Sequence, residues 1–237
     1  MADVTVQDRC AELAAGFGLP SDTAQAFERL LELLAAEPSA VTSVRDPEEA
    51  VEIHIADSLT GLLVPAVASA TRIADIGSGA GLPGLVLAIA RPEARVTMIE
   101  SVGGKAAFIE RSAVEVGLKN VEVMALRAEE VVPEPGFDVV TARALGSLPL
   151  VLEYAAPLLA PSGTVVAWKG SRSEEEAAAG TEAAVELGLS EPVWIPVEEG
   201  VVRGARSRHL VTSEKIAPTP DRFPRRPGAA RKRPLGG

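Results

Sequence analysis

The sequence predicts an α/β fold: a mostly parallel sheet with helices on both faces and a helical cap on its N-terminal side. Three observations carry this. Strand-like and helix-like apolar runs alternate from residue 71 to residue 187. The first of these strands ends in a loop with four glycines in eight positions, Gly77-Ser78-Gly79-Ala80-Gly81-Leu82-Pro83-Gly84, and amphipathic helical patterns precede it. The 237 residues suffice for one Rossmann-like domain with short extensions. The pattern divides them into a helical extension (1–70) packed on the core, a core (71–216) and a basic, flexible tail (217–237).

The elements follow in order. Val6 to Phe17 and Ser21 to Ala36 read as helices, the second opening on Ser21 or Asp22 as N-cap and carrying Leu30, Leu31, Leu33 and Leu34 on a broad apolar face. A third begins at Asp46-Pro47-Glu48-Glu49, with an N-cap, a proline at the first helical position and acids at the positive end of the helix dipole. Strands are expected over 71–76, 95–100, 121–126, 137–142 and 163–168, and helices over 82–90, 104–116, 147–159 and 173–187. Two further apolar segments, about 191–197 and 207–214, read as a closing antiparallel pair. Glu174 to Ala184 is expected as a solvated helix.

Composition excludes several classes. A lone Cys10 allows no disulfide framework and no cysteine zinc site, and it reads as a small buried apolar residue. His54 and His209 are the only histidines, so no metal site is expected. Met1-Ala2-Asp3-Val4 lacks the basic start of a signal peptide, and the longest apolar run, Ser58 to Ala70, is too short for a bilayer and contains Pro65. A cytoplasmic monomer with no membrane contact is expected. The net charge of −10 hides an asymmetry: six basic residues and one acid follow from Asp221 onward, leaving −15 on the preceding 220 residues. An acidic body with a basic end suggests a local contact with a polyanion, against the plainer reading of a solvated tail.

The glycine loop reads as a nucleotide-cofactor loop, because glycine lets the backbone turn sharply and approach a ligand closely. Gly79-x-Gly81-x-x-Gly84 fits dinucleotide spacing, whereas Asp75-x-Gly77-x-Gly79-x-Gly81 fits S-adenosylmethionine (SAM). A carboxylate at Asp75 would repel a pyrophosphate but not a sulfonium with its ammonium group, which favours SAM. Glu100, closing the run Val96-Thr97-Met98-Ile99, can accept hydrogen bonds from both ribose hydroxyls of either cofactor. In such a sheet the ligand lies across the carboxyl ends of the strands. That nominates the loop Gly77 to Gly81, Glu100, Arg127 to Glu129, Thr141 to Arg143, and Lys169 with Gly170.

Methyl transfer from a sulfonium needs chiefly alignment. The Asp/Asn-Pro-Pro-aromatic turn used on exocyclic amines is replaced here by Thr141-Ala142-Arg143-Ala144, and Cys10 is poorly placed as a nucleophile for a pyrimidine carbon. An acceptor with its own lone pair, such as guanine N7, remains compatible.

Seven ordered elements from about residue 40 onward resemble the RsmG (GidB) family. They are Thr42-Ser43-Val44-Arg45-Asp46-Pro47, His54-Ile55-x-Asp57-Ser58, Asp75-Ile76-Gly77-x-Gly79-x-Gly81-Leu82-Pro83-Gly84, Arg91-Pro92, Ala142-Arg143-Ala144, Trp168-Lys169-Gly170 and Arg208-His209-Leu210-Val211. Phe223-Pro224-Arg225-Arg226-Pro227-Gly228 also looks like the family's ending. The resemblance implies a bacterial class I SAM-dependent methyltransferase acting on N7 of a guanine of 16S rRNA near the decoding centre, 527 in standard rRNA numbering. Its substrate would be the rRNA or a small-subunit assembly intermediate. It also implies cofactor contacts at Gly77, Leu82, Ala128, Glu129 and Arg143, beside Gly79 and Gly81 of the loop and Glu100 at the ribose. Lys169, Arg206, Arg208, Arg225 and Arg226 are candidate RNA contacts by charge and position, and no catalytic side chain is assigned. His54 and Asp57, three apart, are expected on one helical face with a structural hydrogen bond. Removing 221–237 is expected to weaken RNA binding and spare the cofactor. The chain departs from the family where Ala36 to Val41 replace a Trp-Asn…Asn-Leu-Thr pattern, and where Gly103-Gly104-Lys105 keeps one base. Three alternatives stay open: a nicotinamide-dependent oxidoreductase, a noncatalytic SAM-sensing RNA-binding protein and a small-molecule methyltransferase.

Overall fold

A computed structural model describes residues 5–38, 42–44, 46–132, 136–204 and 206–236. The family-like residue Arg45, the divergent positions Ser39 to Val41 and the first four residues lie outside the described residues.

α1 (Val6–Gly16) is held at its start by a reciprocal cap between Thr5 and Asp8. α2 (Thr23–Ala36) starts at Asp22, whose side chain makes no capping hydrogen bond, so its apolar face, buried through Phe27, Leu30, Leu31 and Leu34, holds it in place. α3 (Pro47–Ala50) is capped by Asp46 as expected. It then continues through a π-helical stretch (Val51–Ala56), the short α4 (Asp57–Leu59) and a 3₁₀ turn (Thr60–Leu63) to α5 (Pro65–Ser69).

The core follows as β1 (Arg72–Ile76), α6 (Gly84–Ala90), β2 (Arg95–Ile99), α7 (Gly103–Val116), β3 (Val121–Met124), β4 (Phe137–Arg143), α8 (Leu148–Ala155), β5 (Leu159–Lys169), α9 (Glu174–Leu187), β6 (Val193–Pro196) and β7 (His209–Glu214). The sheet order is β3-β2-β1-β4-β5-β7-β6, parallel from β3 to β5, with β7 antiparallel to both neighbours. The expected antiparallel pair is present, and β7 wedges between β5 and β6.

Alternation along the strands sorts side chains to two faces. Ile73, Val96, Met98, Val139, Val166 and Trp168 join the core beneath α1, α2, α6 and α7. Ala74, Ile76, Ile99, Val140, Val165 and Ala167 join the core beneath α8 and α9. Several expected elements differ from the structure, among them the helix expected over 147–159, which ends at Ala155, and the strand expected from residue 163, which begins at Leu159. α6 begins at Gly84, not residue 82, because the loop residues before it are still turning. α9 is not solvated all round: Ala177, Gly180, Ala183, Ala184 and Leu187 are buried along one side.

The segment from 217, expected to be flexible, is laid against the second face. Phe223 and Ala230 are buried there, and the short α10 (Ala229–Lys232) sits near its end. Arg225 Nε donates to Glu153 Oε1 at 2.6 Å, and Glu153 is only 1% exposed. The buried partner lies 72 residues upstream, so composition alone reads this stretch as solvent-exposed. No described helix is long and apolar enough to cross a membrane.

Candidate functional site

Strand order reverses at β1: β2 and β3 add on one side and β4 on the other. The crevice at this reversal is where a ligand can lie between the diverging loops. Gly77, in the left-handed region at φ +64°, turns the chain out of β1. A Cβ there would also stand 2.5 Å from Leu145 Cδ1. Glu100, 6% exposed, braces the loop from the end of β2. Its Oε2 accepts from Gly79 N–H and its Oε1 from Val102 N–H, each at 2.8 Å. A carboxylate has about four acceptor directions, so two remain for further donors.

Asp75 takes a different place from the ligand-side one its spacing suggested. It is fully buried beneath the loop, accepting from Thr141 Oγ1 at 2.9 Å and from Gly84 N–H at 3.3 Å. Burial raises its carboxyl to about 6, against the hydrogen bonds that favour its charged form. Space is tight at Gly84: a Cβ would meet Met98 Cε at 2.6 Å and Asp75 Oδ2 at 3.0 Å.

Gly77, Ile99, Leu126, Ala128, Glu129 and Tyr154 border one cavity of about 360 Å³ at these strand ends, together with Gly228 and Arg231 of the C-terminal segment. A larger cavity of about 580 Å³ lies apart from the glycine loop, between α1, residues 46–53 and Arg203, Gly204 and Arg208. The smaller one has the strand ends, and so the positions where ligands bind such sheets. Leu82 is buried beside the loop, and Gly79 and Gly81 also hold positive φ angles.

Gly79, Gly81, Leu82 and Glu100 are not part of that cavity's lining, and neither is Arg143. Arg143 reaches back to the helical cap, where Nη1 donates to Asp57 Oδ2 at 2.9 Å and to the Ile53 carbonyl at 2.8 Å. Arg208 approaches the other carboxylate oxygen, Nε to Oδ1 at 3.6 Å, and Trp168 Nε1 donates to the Asp57 carbonyl at 2.7 Å. Arg143 and Arg208 thus face one buried carboxylate while Trp168 holds the same residue's backbone, from segments up to 151 positions away. His54 and Asp57 do not bond to each other but go to different partners. His54 Nε2 meets Thr42 Oγ1 at 3.0 Å, and its Nδ1 is buried without a hydrogen-bond partner among the described residues. Burial and the nearby Arg143 charge lower the imidazole to about 4. Cys10 is fully buried and its thiol is pushed up to about 12.

The candidate RNA contacts differ in how they are held. Lys169 Nζ lies 2.6 Å from Glu176 and donates to the Gly146 carbonyl. Arg225 is held by Glu153, whereas Arg206 and Arg226 are exposed.

Solved structures share this architecture. The apo methyltransferase SibL, described as S-adenosylmethionine-dependent, superposes with a TM-score of 0.59 at 15% identity, over 90% of this chain and 74% of that one. A SAM-dependent methyltransferase from Aquifex aeolicus gives 0.57 at 16% identity, over 76% of this chain and 99% of that one. The sheet order, with the glycine loop at its reversal, is the fold of the class I SAM-dependent methyltransferases. Sequence relationship narrows the class. The ribosomal RNA small subunit methyltransferase G of Rubrobacter xylanophilus is 42% identical over 203 residues, 83% of this chain and 77% of that protein. That of Roseiflexus castenholzii is 40% identical over 240 residues, 96% and 99% of the two chains. The family model described as rRNA small subunit methyltransferase G matches residues 23–200, and the chain belongs to this GidB family.

Proposed function

We propose that the chain transfers a methyl group from SAM to N7 of a guanine in 16S rRNA, guanine 527 in standard numbering. The supporting observation is the cavity at the β1, β2 and β3 carboxyl ends, bordered by the Gly77 turn and the Ala128–Glu129 pair, in a chain of this family. Bound SAM supplies an electrophilic methyl on a sulfonium. The residues present fit it. Gly77 offers backbone without a side chain, Glu100 retains acceptor capacity for ribose hydroxyls, and Ile99, Leu126 and Ala128 offer apolar contact to a purine. Leu82, Gly79 and Gly81 shape the loop, and Arg143 stands at the β4 end between cap and crevice.

Guanine N7 carries an in-plane lone pair, so no side chain has to remove a proton. The chain's work is to align donor and acceptor and exclude water. Arg206 and Arg226, with Lys169, Arg208 and Arg225 more constrained by their acidic partners, would supply positive charge toward rRNA or a small-subunit assembly intermediate.

Two measurements test this. N7-methylguanine is mapped by chemical cleavage in 16S RNA from cells with and without the gene, and loss of one cleavage site in the latter is expected. An unchanged pattern refutes the rRNA assignment. Titration of the purified chain should show SAM binding, and binding of NAD in its place sinks the cofactor reading.

A further inference from the structure

The candidate cofactor cavity is completed by residues from the far end of the chain. Gly228 and Arg231 border it together with Gly77, Ala128 and Glu129. The placement is built in. Arg225 is tied to the buried Glu153 of α8, Phe223 and Ala230 are seated in the core, and Gly228 N–H donates to Glu129 Oε1 at 3.0 Å. Gly228 holds φ +80° with open space where a Cβ would stand, so the turn needs glycine for its backbone conformation. The tail therefore bonds directly to the residue pair that follows β3. Burial and the Glu129 carboxylate raise the Tyr154 hydroxyl, and Arg231 acts on the same hydroxyl with opposite sign, so both charged groups meet at the cavity wall.

We propose that the turn from Gly228 to Arg231 is part of the cofactor site, closing its nucleoside end, and that Arg231 is a SAM-contacting residue. This rests on the cavity being the SAM site. A planar guanidinium on a purine face, or donating to its ring nitrogens, is the chemistry Arg231 brings. The consequence runs against the expectation from composition. A tail that is only an RNA arm leaves SAM affinity untouched when altered, whereas a tail that walls the cavity does not.

Calorimetric titration of SAM and of S-adenosylhomocysteine into the full chain, Arg231→Ala, a chain ending at residue 227, and Arg222→Ala tests it. Arg231 is exposed, so Arg231→Ala keeps the fold, checked by an unchanged ligand-free unfolding midpoint, and it carries the test if the shortened chain does not fold. Arg231→Ala should weaken both ligands about fivefold and the shortened chain about tenfold or more, as loss of one or two polar contacts implies. Arg222→Ala, which removes equal charge at an exposed pair with Glu186, should bind as the full chain does. Unaltered affinity in a folded Arg231→Ala, or equal weakening in Arg222→Ala, overturns the inference alone. Failure of the full chain to bind SAM overturns the cofactor reading and the inference with it.

Discussion

Two buried titratable side chains pull stability in opposite directions over one pH range. Burial raises Asp75 from 3.8 to about 6, so its contribution to stability is fully present below 3.8 and is lost as pH rises through about 6. Burial lowers His54 from 6.5 to about 4, so its contribution is present above 6.5 and is lost as pH falls through about 4. Each is worth up to about 3 kcal/mol, and in the native chain the two offset one another. Asp75→Asn should therefore gain stability relative to the native chain as pH rises, and His54→Gln should gain as it falls. Urea unfolding at several pH values between about 4 and 7.5 checks both, and pH-independent differences contradict them. Glu100→Ala removes the brace on Gly79 and the ribose acceptor together, and should weaken SAM binding by about 1–3 kcal/mol, read by calorimetry. The position of Glu100 at the carboxyl end of β2 was legible because the apolar run before it is a local strand signal. The true situation of Asp75 was not, since a sequence shows spacing from the glycines but not that Thr141, 66 residues on, and Gly84 enclose the carboxylate.

The glycine loop and α6 behave as one element. Gly84→Ala should cost about 1–3 kcal/mol by overpacking against Met98 and Asp75, measured by urea unfolding. A neutral effect would mean that both neighbours yield. The tail is a second such element. Arg225→Ala leaves Glu153 charged and unpaired at 1% exposure and should cost about 3–5 kcal/mol, much of it recovered by adding Glu153→Leu. Periodicity located every strand of the sheet to within a few residues, because alternation and turn residues are local signals. The late start of α6 and the π-helical turn at Val51–Ala56 left no mark in the hydrophobic pattern, and the docking of the tail was not legible because its partners are distant in sequence.

The whole molecule keeps its net charge of −10 while presenting Arg206 and Arg226 to solvent. If these two meet phosphates, Arg206→Ala and Arg226→Ala should each lower the slope of log RNA affinity against log salt by about 0.7–0.9 without changing SAM binding, and an unchanged slope removes them from the interface. The sequence by itself determined the α/β class, the strand sequence, the glycine loop with Glu100 and the family, all written in short windows of pattern and motif. Tertiary structure alone decided that β7 lies between β5 and β6, that Asp57 gathers Arg143, Arg208 and Trp168, and that the C-terminal turn meets Glu129. Periodicity records which way a side chain faces within its own element. Which element it then meets depends on how the packed layers bring distant segments together, and local pattern does not encode that.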